Sequence, residues 1–464
     1  MKNNQIYLLL FIYAIISSLT IIFFNGTGGA GDSVNHYLFA KYAPQHIELF
    51  FNHWAKPVFV LLASPFAQFG FAGMKIFNAL VILLTLFFTF KSIQKLNIKN
   101  AIVGPIILLF SPLCFILTFS GLTEPLFALF ISIGLYTLLS NKLILACLFV
   151  SFLPFIRSEG LIILGVFVLY LLVKRNWKLI PLLLFGHIVY MISGYFIYDD
   201  FFWVFNKIPY AHLSSIYGNG ELSHFIYQLF YVVGVPIYIL FWLGVISIIW
   251  NSIKKRMAIE VQILVFLGFF AFFMAHTLFW YFGIFNSMGL KRVLIGVIPL
   301  ISIISLIGFN FISEDLFKNR RILKLTTQAL FIGFILVFPF THNPAAINWE
   351  RDMKLSKDQQ SAAQVVQLML QNENTSQRYY YANPYLSELL NIDHFDKNKR
   401  LELNKDFMKK IKVGDLIIWE NWFAKVEHGI SKEYLENNKE LVCIFNLNER
   451  DKGREILYSV YQKK

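Results

Sequence analysis

The stretch Asn25–Lys56 reads NGTGGAGDSVNHYLFAKYAPQHIELFFNHWAK and separates two strongly apolar segments. It holds Asp32, His36, Glu48 and His53 within one polar loop. Apolar runs of about 20 residues are long enough to cross a bilayer as helices. We therefore predict a polytopic α-helical membrane protein whose first loop carries chemistry at the membrane surface.

The composition of the whole chain agrees with this prediction. Of its 464 residues, 57% are hydrophobic and only 15% are charged, and the mean hydropathy is +0.58, well above that of soluble domains. The net charge of +13 comes from short basic clusters beside apolar segments. That distribution argues for orientation in a membrane and against nucleic-acid binding. The three cysteines fit neither a disulfide framework nor a zinc site.

Apolar windows predict about 11 transmembrane helices. The first is a helix rather than a signal peptide, because its run is long and no small-residue cleavage site follows it. We expect Gly70–Gly73 to divide the second window into a short surface helix and a span that begins near Lys75. The windows are 6–24, 57–91, 101–119, 123–140, 143–156, 160–173, 179–198, 224–250, 258–282, 293–312 and 324–340.

The basic clusters predict the orientation, since Lys and Arg in short loops favour the cytoplasmic side. With Lys2 inside, all the other clusters also lie inside, provided that the chain makes a hairpin of two short helices at Arg157–Gly160. We predict that the protein lies in the inner, cytoplasmic membrane with a cytoplasmic N-terminus. The clusters are Lys91, Lys95 and Lys99; Lys142; Lys174, Arg175 and Lys178; Lys254, Lys255 and Arg256; and Lys318, Arg320, Arg321 and Lys324.

Residues 341–464 differ in character from residues 1–340, which form the transmembrane domain. Apolar runs shorten, and Ser356–Gln359 resembles a capping box at the start of a helix. RYYYAN, GDLIIWE, LVCIFNL and EILYSVY are typical of short strands. We predict a small extracytoplasmic α/β domain.

The predicted topology places many charged side chains on one outer face. Lys41, Lys56, Lys207, Glu221 and Glu48 are interpreted as solvated loop charges. The others are candidates for a site. They are Asp32, Glu124, Arg157, Glu159, Asp199, Asp200, Lys291 and Arg292.

Several candidates also have a structural interpretation. Glu124 suits the positive end of a helix dipole, and Arg157 and Glu159 can neutralise each other. Lys291 and Arg292 oppose the orientation rule, and a negatively charged ligand explains them better.

The histidines of the first loop allow two interpretations. His36 and His53 could bind a divalent cation together with Asp32, but no H-x-x-x-H or H-E-x-x-H spacing supports a metal site. A structural role is the favoured interpretation, with His53 kept as a candidate for substrate binding.

Read in order, these motifs resemble those of GT-C membrane glycosyltransferases, a group that includes protein O-mannosyltransferases, the lipid A aminoarabinose transferase and bacterial mannosyltransferase relatives. The matching segments are DSVNHYLFA at 32–40, HWAKP at 53–57, TEPLF at 123–127, RSEG at 157–160, and GLKR at 289–292 followed by Pro299. Ser33 stands where many relatives have a second acid, and Val293 where an aromatic residue is common.

The resemblance implies transfer of a sugar from a polyprenyl-phosphate donor to a lipid, glycan or protein acceptor outside the membrane. Asp32 matches the position of the general base, and Lys291, Arg292 and Arg157 would stabilise the departing phosphate. Glu124 and Glu159 would orient these cations or contact the sugar. Asp199 or Asp200 would hold the acceptor or a divalent ion.

Two other classes of function stay open at this point. A transporter or flippase of lipid-linked saccharides would need polar groups at mid-membrane depth, whereas the charges here gather at one surface. A scaffold whose C-terminal domain binds a partner is the third possibility.

Overall fold

The structure is a computed structural model that describes residues 4–210, 213–317, 320–371, 378–451 and 453–464. Lys2 and Lys318, which entered the topology prediction, lie outside these ranges. The described chain is a helical bundle followed by a small domain built on one sheet.

Within the described residues, seven helices are long and apolar enough to cross a membrane, and five further apolar helices are shorter. The chain is thus an integral membrane protein, while the predicted count of about 11 spans stays a prediction. The long helices are Asn4–Phe23, Gly70–Lys95, Trp177–Tyr198, Val235–Ile253, Val261–Tyr281, Lys291–Glu314 and Arg321–Phe340. The shorter ones are Pro57–Ala67, Glu124–Leu139, Leu143–Phe155, Gly160–Val173 and His224–Val233.

Backbone chemistry breaks three of the predicted windows. The second window divides before Gly70, which has a φ of 72°, so the long helix begins at Gly70 rather than near Lys75. The third divides into Val103–Leu109 and Pro112–Thr118, because proline is favoured at the first turn of a helix. The eighth ends at Gly234, whose φ of 76° is left-handed. Predicting unbroken helices over 101–119 and 224–250 was wrong.

The predicted hairpin at Arg157–Gly160 is present. One helical segment ends at Phe155 and the next begins at Gly160. A Cβ on Gly160 would lie 2.4 Å from the backbone carbon of Leu153, so the turn is tight enough to require glycine there. The turn holds Arg157 and Glu159 between the two helices.

Two glycines let the helices Val235–Ile253 and Ile298–Asn310 pack closely. A Cβ on Gly244 would lie 1.9 Å from the carbonyl oxygen of Ile304, and one on Gly308 would lie 1.9 Å from that of Leu240. Small residues at helix crossings are a common way to bring backbones together in membrane proteins. This contact fixes the helix that follows Arg292.

The C-terminal domain contains a five-stranded sheet in the order β2-β1-β3-β5-β4. Its strands are β1 (Tyr379–Tyr381), β2 (Arg400–Glu402), β3 (Leu416–Glu420), β4 (Leu441–Asp451) and β5 (Arg454–Lys463). The strands β1, β2 and β3 are parallel, and β5 is antiparallel to β3 and β4. Four of the five were predicted; β2 was not.

The predicted capping box opens the helix Lys357–Gln371. The backbone N–H of Gln359 donates to Ser356 Oγ (3.3 Å), and that of Ser356 donates to Gln359 Oε1 (3.1 Å). Gln359 is buried and also donates to Thr27 Oγ1 (2.8 Å). The start of this helix is therefore tied to the first loop.

Further contacts hold the C-terminal domain on the helix Asp32–Tyr42 and on the residues that follow it. Lys41 Nζ lies 2.9 Å from Glu388 Oε2, and the Tyr37 hydroxyl donates to Glu388 Oε1 (3.1 Å). His46 Nε2 lies 2.8 Å from Asp393 Oδ2. Interpreting Lys41 as a solvated charge was wrong, since it joins the first loop to the domain above it.

The remaining short helical segments complete the architecture and connect the elements already given. They are Ile47–Phe51, Trp203–Asn206, Trp349–Asp352, Tyr385–Leu389, Phe407–Lys409, Phe423–Glu427 and Lys432–Glu436.

Candidate active site

Charged side chains from three separate segments meet at the end of the bundle that faces the C-terminal domain. Arg292 donates a hydrogen bond from Nη2 to Asp32 Oδ2, and its Nε lies 3.3 Å from Glu124 Oε1. Asp32 is the first residue of its helix, as Glu124 is of the helix Glu124–Leu139. Carboxylates are favoured at both positions by the helix dipole.

The network continues to the hairpin. Arg157 Nη1 lies 2.8 Å from Glu124 Oε1 and donates to Thr123 Oγ1 (3.1 Å), while Nη2 donates to Glu159 Oε1 (2.9 Å). His276 Nε2 is 3.6 Å from Glu159 Oε1. Asp32, Arg292, Glu124, Arg157 and Glu159, hereafter the charge network, thus alternate in sign along one chain of contacts.

Electrostatics fixes the ionisation of Asp32 and Glu159 in the charge network. Burial raises the pKa of Asp32, but the charge and hydrogen bond of Arg292 outweigh this effect and hold that pKa below its usual value. Burial also raises the pKa of Glu159, and Arg157 reverses the shift and lowers it to about 2. Both carboxylates are ionised at neutral pH, and Asp32 can therefore accept a proton.

Neighbouring side chains hold the first loop in place. The imidazole of His36 is stacked on Trp54 with ring centroids 5.0 Å apart. His53 Nε2 lies 3.0 Å from the carbonyl oxygen of Val204. Burial lowers the pKa of His36 to about 3 and that of His53 to about 4, so both rings are neutral at pH 7. These contacts agree with the structural role favoured from the sequence.

Lys56 was interpreted as a solvated charge, and this was wrong. Its Nζ donates a hydrogen bond to Ser158 Oγ (2.8 Å) between Arg157 and Glu159. Burial lowers its pKa to about 8. Lys56 therefore links the first loop to the hairpin beside the charge network.

Three other predicted site residues lie outside the charge network. Asp200 accepts hydrogen bonds from the Phe202 N–H (2.9 Å) and Asn206 Nδ2 (3.0 Å), which stabilise a local turn. Asp199 ends a helix in the left-handed conformation with a φ of 49°. Lys291 Nζ lies 5.4 Å from the centre of the Tyr231 ring. Their predicted substrate contacts stay predictions.

A cavity of about 570 Å³ lies between the charge network and the C-terminal domain. Asp32 and Arg292 line it from the bundle. The opposite wall comes from side chains that the sequence interpretation missed: Tyr210, Tyr217, Arg400, Trp422, Glu427 and Arg454. Only the cluster of aromatic and acidic residues in IIWENW, at 417–422, marked this region in the sequence.

A metal site was left open by the sequence. Among the described residues, no group of three or more His, Cys, Asp or Glu side chains is arranged to hold a metal ion. The carboxylates next to Asp32 are instead paired with arginines. The proposed chemistry uses the carboxylates and arginines of the charge network alone.

The bundle, with its helical first loop and its C-terminal α/β domain, has the fold of GT-C membrane glycosyltransferases. Two crystal structures of ArnT from Cupriavidus metallidurans, an aminoarabinose transferase, are similar to it. The one bound to undecaprenyl phosphate gives a TM-score of 0.63 and the apo form 0.62. Each is 11% identical, and each match covers 99% of this chain and 98% of ArnT.

The comparison confirms at the level of fold the resemblance drawn from the sequence motifs. No protein-family model and no curated protein sequence matches the chain.

Proposed function

We propose that this protein is a membrane glycosyltransferase that moves a sugar from a polyprenyl-phosphate donor to an acceptor on the extracytoplasmic face. The observation that carries the proposal is the charge network, in which Asp32 and Arg292 meet at the floor of the cavity. A carboxylate beside fixed cations suits a reaction that takes up a proton at one end and releases a phosphate at the other.

Asp32 is the proposed general base. It removes the proton from an acceptor hydroxyl as the acceptor oxygen forms a bond to the anomeric carbon of the sugar. The bond between that carbon and the phosphate oxygen breaks at the same time, and polyprenyl phosphate leaves with the electron pair. Attack from the face opposite the phosphate inverts the anomeric configuration.

Arg292 and Arg157 are the proposed phosphate ligands. A guanidinium presents donors in a planar fork that matches two phosphate oxygens. Glu124 and Glu159 hold these arginines. When a phosphate takes over part of the contact that Arg292 makes with Asp32, the pKa of Asp32 rises and it becomes a stronger base.

The fold and the site both support a polyprenyl phosphate as the donor lipid. The similar ArnT structure holds undecaprenyl phosphate, and the charge network offers arginines for the phosphate of such a lipid. The transferred sugar is a hexose, as in the mannosyltransferase relatives, or a pentose. The acceptor is a lipid, glycan or protein.

The remaining predicted substrate contacts belong to this proposal as well. Lys291 would approach the phosphate, and His53, Asp199 or Asp200 the acceptor. The protein would lie in the inner membrane with the cavity and the C-terminal domain outside and the N-terminus in the cytoplasm. The basic clusters in the short loops on the opposite side support this orientation, to which Lys291 and Arg292 are the exception.

The test is sugar transfer by the full-length protein in lipid nanodiscs. Undecaprenyl phosphates that carry radiolabelled mannose or aminoarabinose are incubated with membrane extracts, and released undecaprenyl phosphate and labelled lipid, glycan and protein are measured. Asp32→Asn is expected to reduce transfer by about 10²–10⁴-fold with insertion and folding retained. Glu48→Gln, a change at a side chain that is 56% exposed, serves as the matched control.

Two results would contradict the proposal. Wild-type transfer by Asp32→Ala would remove the base from the mechanism. Movement of intact lipid-linked sugar across proteoliposomes, with no transfer from any donor, would assign the protein to the flippases.

A further inference from the structure

The C-terminal domain forms the wall of the cavity opposite Asp32. Glu427 is the last residue of the short helix Phe423–Glu427 and is exposed on this wall. Tyr217 reaches the same cavity from the loop that precedes the helix His224–Val233. The wall therefore combines side chains from the soluble domain and from a loop of the bundle.

Glu427 has unused hydrogen-bonding capacity. The side chains of Tyr217 and Trp422 line the same cavity as its carboxylate. An ionised carboxylate has about four acceptor positions, to which hydroxyl groups of a ligand can donate. A phenol beside a carboxylate supplies both a donor and an acceptor to such groups.

Aromatic rings line the same cavity as this carboxylate. Trp422 is half-buried, and the guanidinium carbon of Arg454 lies 4.7 Å from the centre of its ring. Tyr210 and Trp54 also line the cavity. Aromatic side chains offer a large apolar surface at a polar site, which matches the C–H faces of a sugar ring.

The charges on the wall do not favour a ligand of one sign. Arginine and lysine side chains are balanced by carboxylates along the same surface. The basic residues are Lys357, Arg400 and Arg454, and the acidic ones are Asp358, Glu402, Glu427 and Asp451. A ligand rich in hydroxyl groups fits such a surface better than a strongly charged peptide.

Glu427 and Asp32 line the same cavity. Burial raises the pKa of Glu427, and the negative charge of Asp32 raises it further. Burial and the charges of both carboxylates also raise the pKa of the Tyr217 phenol. Because both carboxylates line one cavity of about 570 Å³, a single ligand can place one hydroxyl group at Glu427 and another at Asp32.

We propose that Glu427, Tyr217 and Trp422 form a saccharide-binding subsite for the acceptor, facing Asp32 across the cavity. This assignment rests on the proposed glycosyltransferase function and gives its acceptor a chemical class. The saccharide is free or is the head group of a glycolipid, because the same hydroxyl chemistry serves both. These three residues position the acceptor and take no part in bond formation.

The first test measures binding alone, with the full-length protein in nanodiscs and saturation-transfer difference NMR. The probes are free N,N′-diacetylchitobiose, the same disaccharide on a lipid, and a Gly-Ser-Thr peptide. We expect saturation of the sugar ring protons in at least one disaccharide form, and at least a fivefold loss of it in Glu427→Gln. Glu433→Gln and Tyr434→Phe, on an exposed part of the same domain, should keep the wild-type signal.

The second test separates positioning from a general structural effect. With a functional donor, Glu427→Gln and Tyr217→Phe should raise the KM for the disaccharide by about tenfold, while the donor KM stays unchanged. Trp422→Leu should act in the same direction.

The outcomes keep the two proposals apart. Equal saturation in wild type and Glu427→Gln, saturation of the peptide alone, or no saturation of either disaccharide would overturn the saccharide subsite. Binding of the disaccharide without release of undecaprenyl phosphate from any donor would instead contradict the glycosyltransferase function.

Discussion

Arg292 donates a hydrogen bond to Asp32 although the two residues are 260 positions apart in the sequence. The pair joins the first loop to the start of the helix Lys291–Glu314. It also sets the charge state of the proposed base, because the cation offsets the effect of burial on the carboxylate.

Replacement of Arg292 by Gln is expected to shift the acid limb of the pH–rate profile to higher pH. Without the cation, burial raises the pKa of Asp32, so the carboxylate becomes protonated at a higher pH and the rate falls there. Measurement of kcat/KM between pH 4 and 8 tests this. Arg292→Lys keeps the positive charge and should shift the acid limb less. Coincident pH–rate profiles for Arg292→Gln and wild type would contradict the prediction.

Removal of the Arg157 guanidinium is expected to destabilise the protein. Glu124 is fully buried, and Arg157→Met leaves its charge with only the more distant Arg292 contact. Breaking a buried ion pair in this way costs about 3–5 kcal/mol. Thermal unfolding in detergent should show a large fall in the midpoint.

An ion pair with an exposed lysine provides the control for that experiment. Lys99 Nζ lies 3.4 Å from Glu314 Oε2, and the Lys99 side chain is 73% exposed. Lys99→Met should cost about 1 kcal/mol or less. A similar loss in both variants would mean that the burial of the charge network does not govern its contribution.

Gly244→Ala is expected to disrupt the crossing of the helices Val235–Ile253 and Ile298–Asn310. The added Cβ would lie 1.9 Å from the Ile304 carbonyl oxygen, so the backbones would have to separate. Gly165→Ala is the matched control, since its Cβ would meet no atom within 4 Å. The control should match or exceed wild-type stability, because alanine favours helix by about 1 kcal/mol. Equal thermal midpoints for the two variants would contradict close packing at Gly244.

Glu420 is expected to make the stability of the protein depend on pH. It is buried, and its carboxylate accepts backbone hydrogen bonds from Trp422, Phe423 and Ala424. Burial raises its pKa from 4.5 to about 7. Between these pH values the folded state holds a proton that the unfolded state has lost, so stability falls as pH rises from 4.5 to 7.

The comparison with Glu420→Gln isolates this effect, which amounts to at most about 3.4 kcal/mol at 1.36 kcal/mol per pH unit between pH 4.5 and 7. Thermal midpoints of the full-length protein are measured from pH 4.5 to 8. As the pH rises across this range, the thermal midpoint of the wild type should fall relative to that of Glu420→Gln. A difference that is constant with pH would contradict the raised pKa.

The sequence predicted the membrane class and many of the residues that meet in the charge network. Asp32, Glu124, Arg157, Glu159 and Arg292 could be found because charges at the edges of apolar segments are costly and rarely lack partners. The roles given to them stay predictions. Hydropathy also located most helices, since it averages apolar character over windows of many residues.

Local backbone geometry and long-range contacts were harder to predict. Gly234 ends a helix through a left-handed φ of 76°, and an apolar window does not register a single glycine of this kind. Lys56 looked like a loop charge because its partner, Ser158, is 102 residues away. Glu427 and Trp422 reach the cavity only through the docking of the C-terminal domain, which no local pattern reveals.

The contact of Lys41 with Glu388 and that of Gln359 with Thr27 hold the C-terminal domain over the cavity as a roof. If the protein is the proposed glycosyltransferase, water competes with the acceptor for attack on the sugar donor, and water is present at about 55 M in bulk solution. A roof that admits an acceptor and restricts bulk solvent would decide between synthesis and wasteful hydrolysis. The C-terminal domain, which takes no part in forming the glycosidic bond, would thus set how much glycan is made per lipid carrier consumed.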